Sequence, residues 1–121
     1  MKLKAILFSA LSMMVSIVPV TVPSIEAQPT PRRIEITAKR FQFMPASITL
    51  KKGEPVVIVL KSVDVAHGLR FRDLGLDVRA KKGQTSELPF TPAKSGNFVG
   101  QCSVFCGGGH GQMKLTLHIV E

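Results

Sequence analysis

Both cysteines of this chain, one of its three histidines and one of its five methionines fall inside one short stretch, Gly100-Gln101-Cys102-Ser103-Val104-Phe105-Cys106-Gly107-Gly108-Gly109-His110-Gly111-Gln112-Met113. The spacing is C-x3-C-x3-H-x2-M. Two thiolates, an imidazole and a thioether make a soft donor set, which selects copper and disfavours the oxygen-seeking ions Mg, Ca and Mn. Gly107, Gly108, Gly109 and Gly111 permit backbone conformations closed to other residues, so a short loop can turn its side chains toward one point. The stretch reads as a copper-binding loop.

What must carry such a loop is legible in the remaining pattern. Period-two alternation dominates. Ile34 and Ile36 alternate with Glu35 and Thr37, Phe41 and Phe43 with Arg40 and Gln42, and Ile48 and Leu50 with Thr49 and Lys51. Val56 to Leu60 is a continuous apolar run, as in a strand buried on both faces. Leu69 and Phe71 alternate ahead of a loop at Gly75, Thr85 to Phe90 and Asn97 to Gln101 are extended, and Leu115, Leu117 and Ile119 form the last strand. Past the N-terminal apolar segment, no 3.6-residue apolar period and no internal repeat occurs. The pattern predicts an all-β domain, a small Greek-key β-sandwich of about seven strands. With no Trp or Tyr, its core rests on Phe, Val, Ile and Leu.

The first 27 residues read as a secretory signal. Met1 to Lys4 is a basic lead, Ala5 to Val18 is apolar apart from three serines, and Pro19 and Pro23 follow. The apolar run is short of the roughly 20 residues a membrane span needs. Cleavage is expected near Ala27, with an uncleaved anchor, and so membrane association through the N-terminus, as the alternative. Residues 28–121 then form one domain, placed in the periplasm or another extracytoplasmic space. Losing Lys2, Lys4 and Glu26 takes the net charge from +8 to +7. Export and the scatter of the basic pairs, with no aromatic residues between them to stack bases, argue against nucleic acid and favour a solvated face.

Export also raises the possibility of a disulfide between Cys102 and Cys106. Closing so short a loop contributes about 2 kcal/mol, whereas a metal bound by thiolate and imidazole contributes on the order of 10 kcal/mol. Copper, where present, takes the cysteines. One loop rarely completes a copper site, and His67 is the candidate from elsewhere. It ends Ser62-Val63-Asp64-Val65-Ala66-His67, where a strand gives way to a turn that a sandwich can place beside the loop between the last two strands. Met113 shares its phase with Leu115 and could be core, but its position three residues after His110 makes it a ligand. His118 lies on the polar phase of the last strand and is expected to face solvent. Met44, beside an aromatic pair, is expected to pack. An apolar surround of Phe105 and Leu69 is expected to keep water from the metal.

The segments Asp64-Val65-Ala66-His67 and Gly100-Gln101-Cys102-Ser103-x-x-Cys106-Gly107-x-x-His110-x-x-Met113 resemble the CuA domain of cytochrome c oxidase subunit II, a site shared with nitrous oxide reductase. Phe41-x-Phe43-x-Pro45-x-x-Ile48 and Lys52-Gly53-x-Pro55-Val56 resemble cupredoxin sequences generally. The resemblance implies a cupredoxin-like fold and a centre of two copper ions bridged by the sulfurs of Cys102 and Cys106. It further implies one imidazole each from His67 and His110, a weak thioether from Met113 and the backbone carbonyl of Val104. The implied activity is electron transfer between a redox donor and a redox acceptor. The chain departs from the family in having Val104 where Glu is common, in lacking a Trp cluster, and in its basic rather than acidic surface. No general base or substrate pocket is evident, so catalysis of its own is not expected. Three other readings stay open: a copper carrier, a mononuclear cupredoxin using His67, Cys106, His110 and Met113, and a metal-free sandwich with a disulfide.

Overall fold

The computed structural model describes residues 13–27 and 29–121; the first part of the expected signal, up to Ser12, lies outside the described residues. Residues 13–27 carry no regular secondary structure and are exposed. Nine strands follow: β1 (Arg32–Lys39), β2 (Gln42–Met44), β3 (Ser47–Lys51), β4 (Val56–Ser62), β5 (His67–Phe71), β6 (Leu76–Ala80), β7 (Thr85–Phe90), β8 (Gly96–Gln101) and β9 (Lys114–Val120). They form a four-stranded sheet in the order β2-β1-β4-β7 and a five-stranded sheet in the order β3-β9-β8-β5-β6. The all-β sandwich expected from the alternation is the architecture found.

The alternating side chains explain the layering. Ile34, Ile36 and Ala38 on β1 and Leu115, Leu117 and Ile119 on β9 point inward, with polar neighbours outward. β4 lies between β1, with which it pairs in parallel, and antiparallel β7. Its apolar run follows from that central place: Val56, Ile58, Val59 and Leu60 are all buried. Pro89, which has no N–H to donate, is confined to edge strand β7.

Two more strands occur than the seven expected. The Gly75 loop is only a hairpin corner, a 3-10 turn at Arg72–Leu74 ending on Gly75 at φ 63°. Beyond it β6 pairs with β5 over five positions. The other addition comes from a turn at Arg40 and Phe41 that separates β1 from β2. Phe41 is therefore not a strand residue paired in phase with Phe43. Phe43 is buried and Phe41 is 39 % exposed. Met44, expected to pack, is instead 44 % exposed, because the inward place in so short a strand is taken by Phe43.

The topology gathers the candidate ligands at one end. β4 leaves the four-stranded sheet at Ser62 and the chain crosses to the other sheet, entering β5 at His67. β8 ends at Gln101 and β9 begins at Lys114 as its antiparallel neighbour, with Gln101 opposite Lys114 and Arg70 opposite Gln101. The loop 102–113 thus emerges beside the start of β5.

Leu117 is fully buried on β9 in the five-stranded sheet. Leu117→Ala is expected to destabilise the domain by about 2–5 kcal/mol. Val99→Ala, at a position 55 % exposed on β8, should stay within about 0.5 kcal/mol of the parent in urea unfolding.

Candidate metal centre

The cysteine loop is closed at its neck by backbone. The Cys102 N–H donates to the Met113 carbonyl at 3.1 Å, and the Ser103 N–H to the Gly68 carbonyl at 3.3 Å. Its far side folds as a 3-10 turn, His110–Gln112, with the Met113 N–H on the His110 carbonyl. These bonds turn Cys102, Cys106 and Met113 inward; they are 6 %, 4 % and 0 % exposed. His67, opposite them, is 0 % exposed.

The donor atoms converge. Cys102 Sγ and Cys106 Sγ are 3.9 Å apart, and neither forms a disulfide. His67 Nδ1 lies 3.9 Å from Cys102 Sγ, and His110 Nδ1 lies 3.7 Å from Cys106 Sγ. Met113 Sδ is 3.8 Å from Cys106 Sγ, and the Cys102 thiol donates to the Val104 carbonyl at 3.1 Å. The ligand atoms of His67, Cys102 and Cys106 all fall within 4.8 Å of one another. Two donors bound to one tetrahedral ion at roughly 2.0–2.3 Å are themselves separated by roughly 3.5–3.8 Å. The distances from the two sulfurs to each other and to the imidazole and thioether donors, 3.7–3.9 Å, lie close to that spacing. All six residues singled out from the sequence meet at this one place.

The sequence did not single out the residues that hold these donors in place. Asp64 Oδ1 lies 2.8 Å from His67 Nε2 and accepts the Val65 N–H, while Oδ2 accepts the Arg40 N–H. A carboxylate only accepts, so His67 carries its proton on Nε2 and presents the Nδ1 lone pair to the cysteines. Desolvation raises the Asp64 pKa, but these hydrogen bonds outweigh it and hold the carboxyl well below the usual range. Arg40 Nε donates to the Cys106 carbonyl at 2.8 Å. Phe41 lies against Gly107 and Gly109; a Cβ at Gly109 would come within 2.5 Å of its ring, and Gly107 has φ 138°. The glycines of the loop thus make room for an aromatic ring as well as a turn.

Phe105, expected to shield the metal, is 79 % exposed and meets the His110 ring at 5.6 Å between centroids. Strand-like packing cannot govern a residue at the loop tip, and shielding falls to Leu69, Phe41 and the core. His118, expected in solvent, is half-buried on the outer face and bonded through Nδ1 to Asn97 at 2.6 Å. It is remote from the site.

A β-sandwich that gathers thiols, imidazoles and a thioether at one end is a metal-binding domain. The cupredoxin-like domain family profile matches residues 7–115, and the chain belongs to that family. Its fold is similar to the periplasmic domain of cytochrome oxidase subunit II of Bradyrhizobium japonicum (TM-score 0.68, 22 % identity, 77 % of this chain and 87 % of that one). It is also similar to the metal-binding domain of a Cu(I)-exporting P-type ATPase of Streptococcus pneumoniae D39 with Cu(I) (0.64, 21 %, 79 % and 92 %). A third is auracyanin A, a blue copper protein of Chloroflexus aurantiacus (0.60, 19 %, 75 % and 100 %). Family and donor set agree on copper.

Burial, then the neighbouring Cys102, pushes the Cys106 thiol up to about 11. At neutral pH this thiol is protonated, and metal uptake must displace the proton. Apparent copper affinity is therefore expected to rise with pH toward 11, about tenfold per pH unit for each proton displaced, as read by competition with a chelator. Asp64→Asn supplies one oxygen where two are used and sets an amide NH2 against a donor. Copper affinity in that variant is expected to fall about 10-fold or more, and an unchanged value would remove Asp64 from the site.

Proposed function

We propose that this chain is an exported electron-transfer protein in which Cys102 and Cys106 together hold two copper ions in a CuA-type centre. His67 and His110 would each supply an Nδ1 donor, Met113 a weak thioether and Val104 its carbonyl oxygen. Bound copper supplies a site that gains and loses one electron.

The observation that carries this reading is the number and grouping of the donors. Four donor atoms crowd around one pair of sulfurs, six donors in all, and each sulfur has its own imidazole, His67 beside Cys102 and His110 beside Cys106. That is more than one four-coordinate ion uses. In a mononuclear site on Cys106, Cys102 would be an idle buried thiol, yet it lies 3.9 Å from both Cys106 and His67.

The chain's own residues do the rest by staying fixed. Asp64 orients His67, Arg40 tethers the Cys106 carbonyl, and the two sheets hold both tethers in register. A ligand set that need not move between oxidation states exchanges electrons at low reorganisation cost. The buried sulfurs keep bulk water at a distance. Partners are a redox donor and a redox acceptor. A subunit II domain has been seen in a mixed disulfide with a thioredoxin-like protein. A related reductant would keep Cys102 and Cys106 free in an oxidising compartment. Export, with residues 1–27 as signal or anchor, fits such a setting.

Copper carriage is the second reading, since a Cu(I) exporter's metal-binding domain has a similar fold. It requires a site that lets its metal go, whereas four of the six donor residues here are buried.

The test is to load the mature chain, count copper and record its electron paramagnetic resonance. Two coppers sharing one unpaired electron are expected, with Cys102→Ser dropping to one copper and a single-nucleus spectrum. One copper at saturation in the parent would defeat the proposal.

A further inference from the structure

β5 and β8 are neighbours in the five-stranded sheet but pair only at Arg70 and Gln101, whereas β5 and β6 pair over five positions and β8 and β9 over six. Where they diverge, the outer face opens into a groove of about 270 Å³ that runs from the β5–β6 corner to the neck of the cysteine loop. Arg70 and Arg72 line one wall, Val99 and Gln101 the other, and Cys102 and Ser103 close the end. The groove therefore reaches Cys102, one of the two cysteines.

Its charge is positive. Arg79 adjoins Arg70 through Asp77, and Lys114 stands opposite Gln101 on β9. Arg70 and Arg72 face one carboxylate, Asp73, in the lining itself, and Arg79, Asp77 and Lys114 flank it. Asp77 is already engaged: Arg70, Arg79 and Ser103 donate to it at 3.0, 2.9 and 2.7 Å, and its pKa is lowered, hydrogen bonds overcoming desolvation. Arg72 is exposed, and no carboxylate lies within ion-pair distance of it among the described residues. The glutamates ion-paired to Arg32, Arg33 and Lys52 lie outside this groove.

We propose that this groove is a docking surface for an acidic redox protein, whose carboxylate side chains enter it and bind Arg72, beside the Arg70 guanidinium that Asp77 holds in place. The inference deepens the proposed function by naming the partner's chemistry, and rests on that reading only for the partner's being a redox protein. A guanidinium pairs with a carboxylate through two parallel hydrogen bonds, giving orientation as well as attraction. Complementary charge of this kind sets encounter rate and register. Nucleic acid is disfavoured because no aromatic side chain lines the groove to stack a base. A membrane is disfavoured because Val99 is the one apolar residue, cysteine apart, in a recessed lining.

The experiment uses the full chain, copper-loaded, fully reduced and 15N-labelled, titrated with hexacyanochromate(III), whose paramagnetism broadens nearby amides. Broadening is expected to centre on Arg72, Val99, Gln101 and Ser103 and to disappear in roughly 0.5 M sodium chloride. Arg72→Glu should weaken binding about 10-fold, and Arg72→Gln by less. Lys82→Glu changes net charge equally and should leave binding in the groove within about twofold. An oligoglutamate peptide should compete for the same amides. Broadening spread evenly over the basic pairs, or an equal loss with Lys82→Glu, would refute the docking surface. Tighter competition by phosphatidylglycerol vesicles than by oligoglutamate would refute a protein partner in favour of a membrane. Copper count and spectrum, read on the same samples, test the two-copper reading separately.

Discussion

The Asp64 carboxylate accepts hydrogen bonds from the β1–β2 turn through Arg40, from its own β4–β5 crossover through Val65, and from β5 through His67. A hydrogen bond to a charged acceptor is worth about 1.5–3 kcal/mol, and three on one group stay geometrically fixed because none can relax without orphaning the others. The four-stranded sheet is thereby tied to the histidine of the five-stranded sheet. Arg40 extends the tie to the cysteine loop, with its main chain on Asp64 and its side chain on the Cys106 carbonyl. This polar frame positions the donors His67 and Cys106.

The electrostatics of the same region explain why the frame is needed. Burial opposes thiolate formation at Cys106, and a second sulfur at 3.9 Å opposes it further. A flexible loop would relieve that cost by moving the sulfurs apart into water. The neck bonds at Cys102 and Ser103, and the packing of Phe41 on the loop glycines, prevent it. A cation bound by the sulfurs would offset both penalties at once as their protons leave.

The sandwich and its ligand end were readable because each rests on a local signal. Period-two alternation names β1, β3, β5 and β9, where one face is buried, a continuous apolar run names β4, and the cysteine spacing names the loop. β6 carried the same signal in Leu76, Val78 and Ala80, alternating with Asp77 and Arg79, but the nearby glycine drew attention to a loop. The break at Arg40 and Phe41 was invisible, because alternation runs unbroken across it. The second layer was out of reach for another reason. Asp64 stands in the segment that carries the resemblance but with no role legible there, Arg40 looks like an ordinary surface charge, and only the crossing of β4 to β5 brings them to the histidine and the cysteine carbonyl. Phe105 shows the converse error: an aromatic next to a ligand suggests a lid, but the loop's curvature turns it outward.

Met113 is wholly buried and belongs to the same apolar cluster as Leu115, Leu117 and Leu69. Its sulfur is thus shut away from peroxide and other dissolved oxidants. Sulfoxide formation would place a polar oxygen among aliphatic side chains, where none of them can donate to it. Oxidation of that thioether would have to wait for the last strand to loosen, whereas Met44, 44 % exposed, stands open to it.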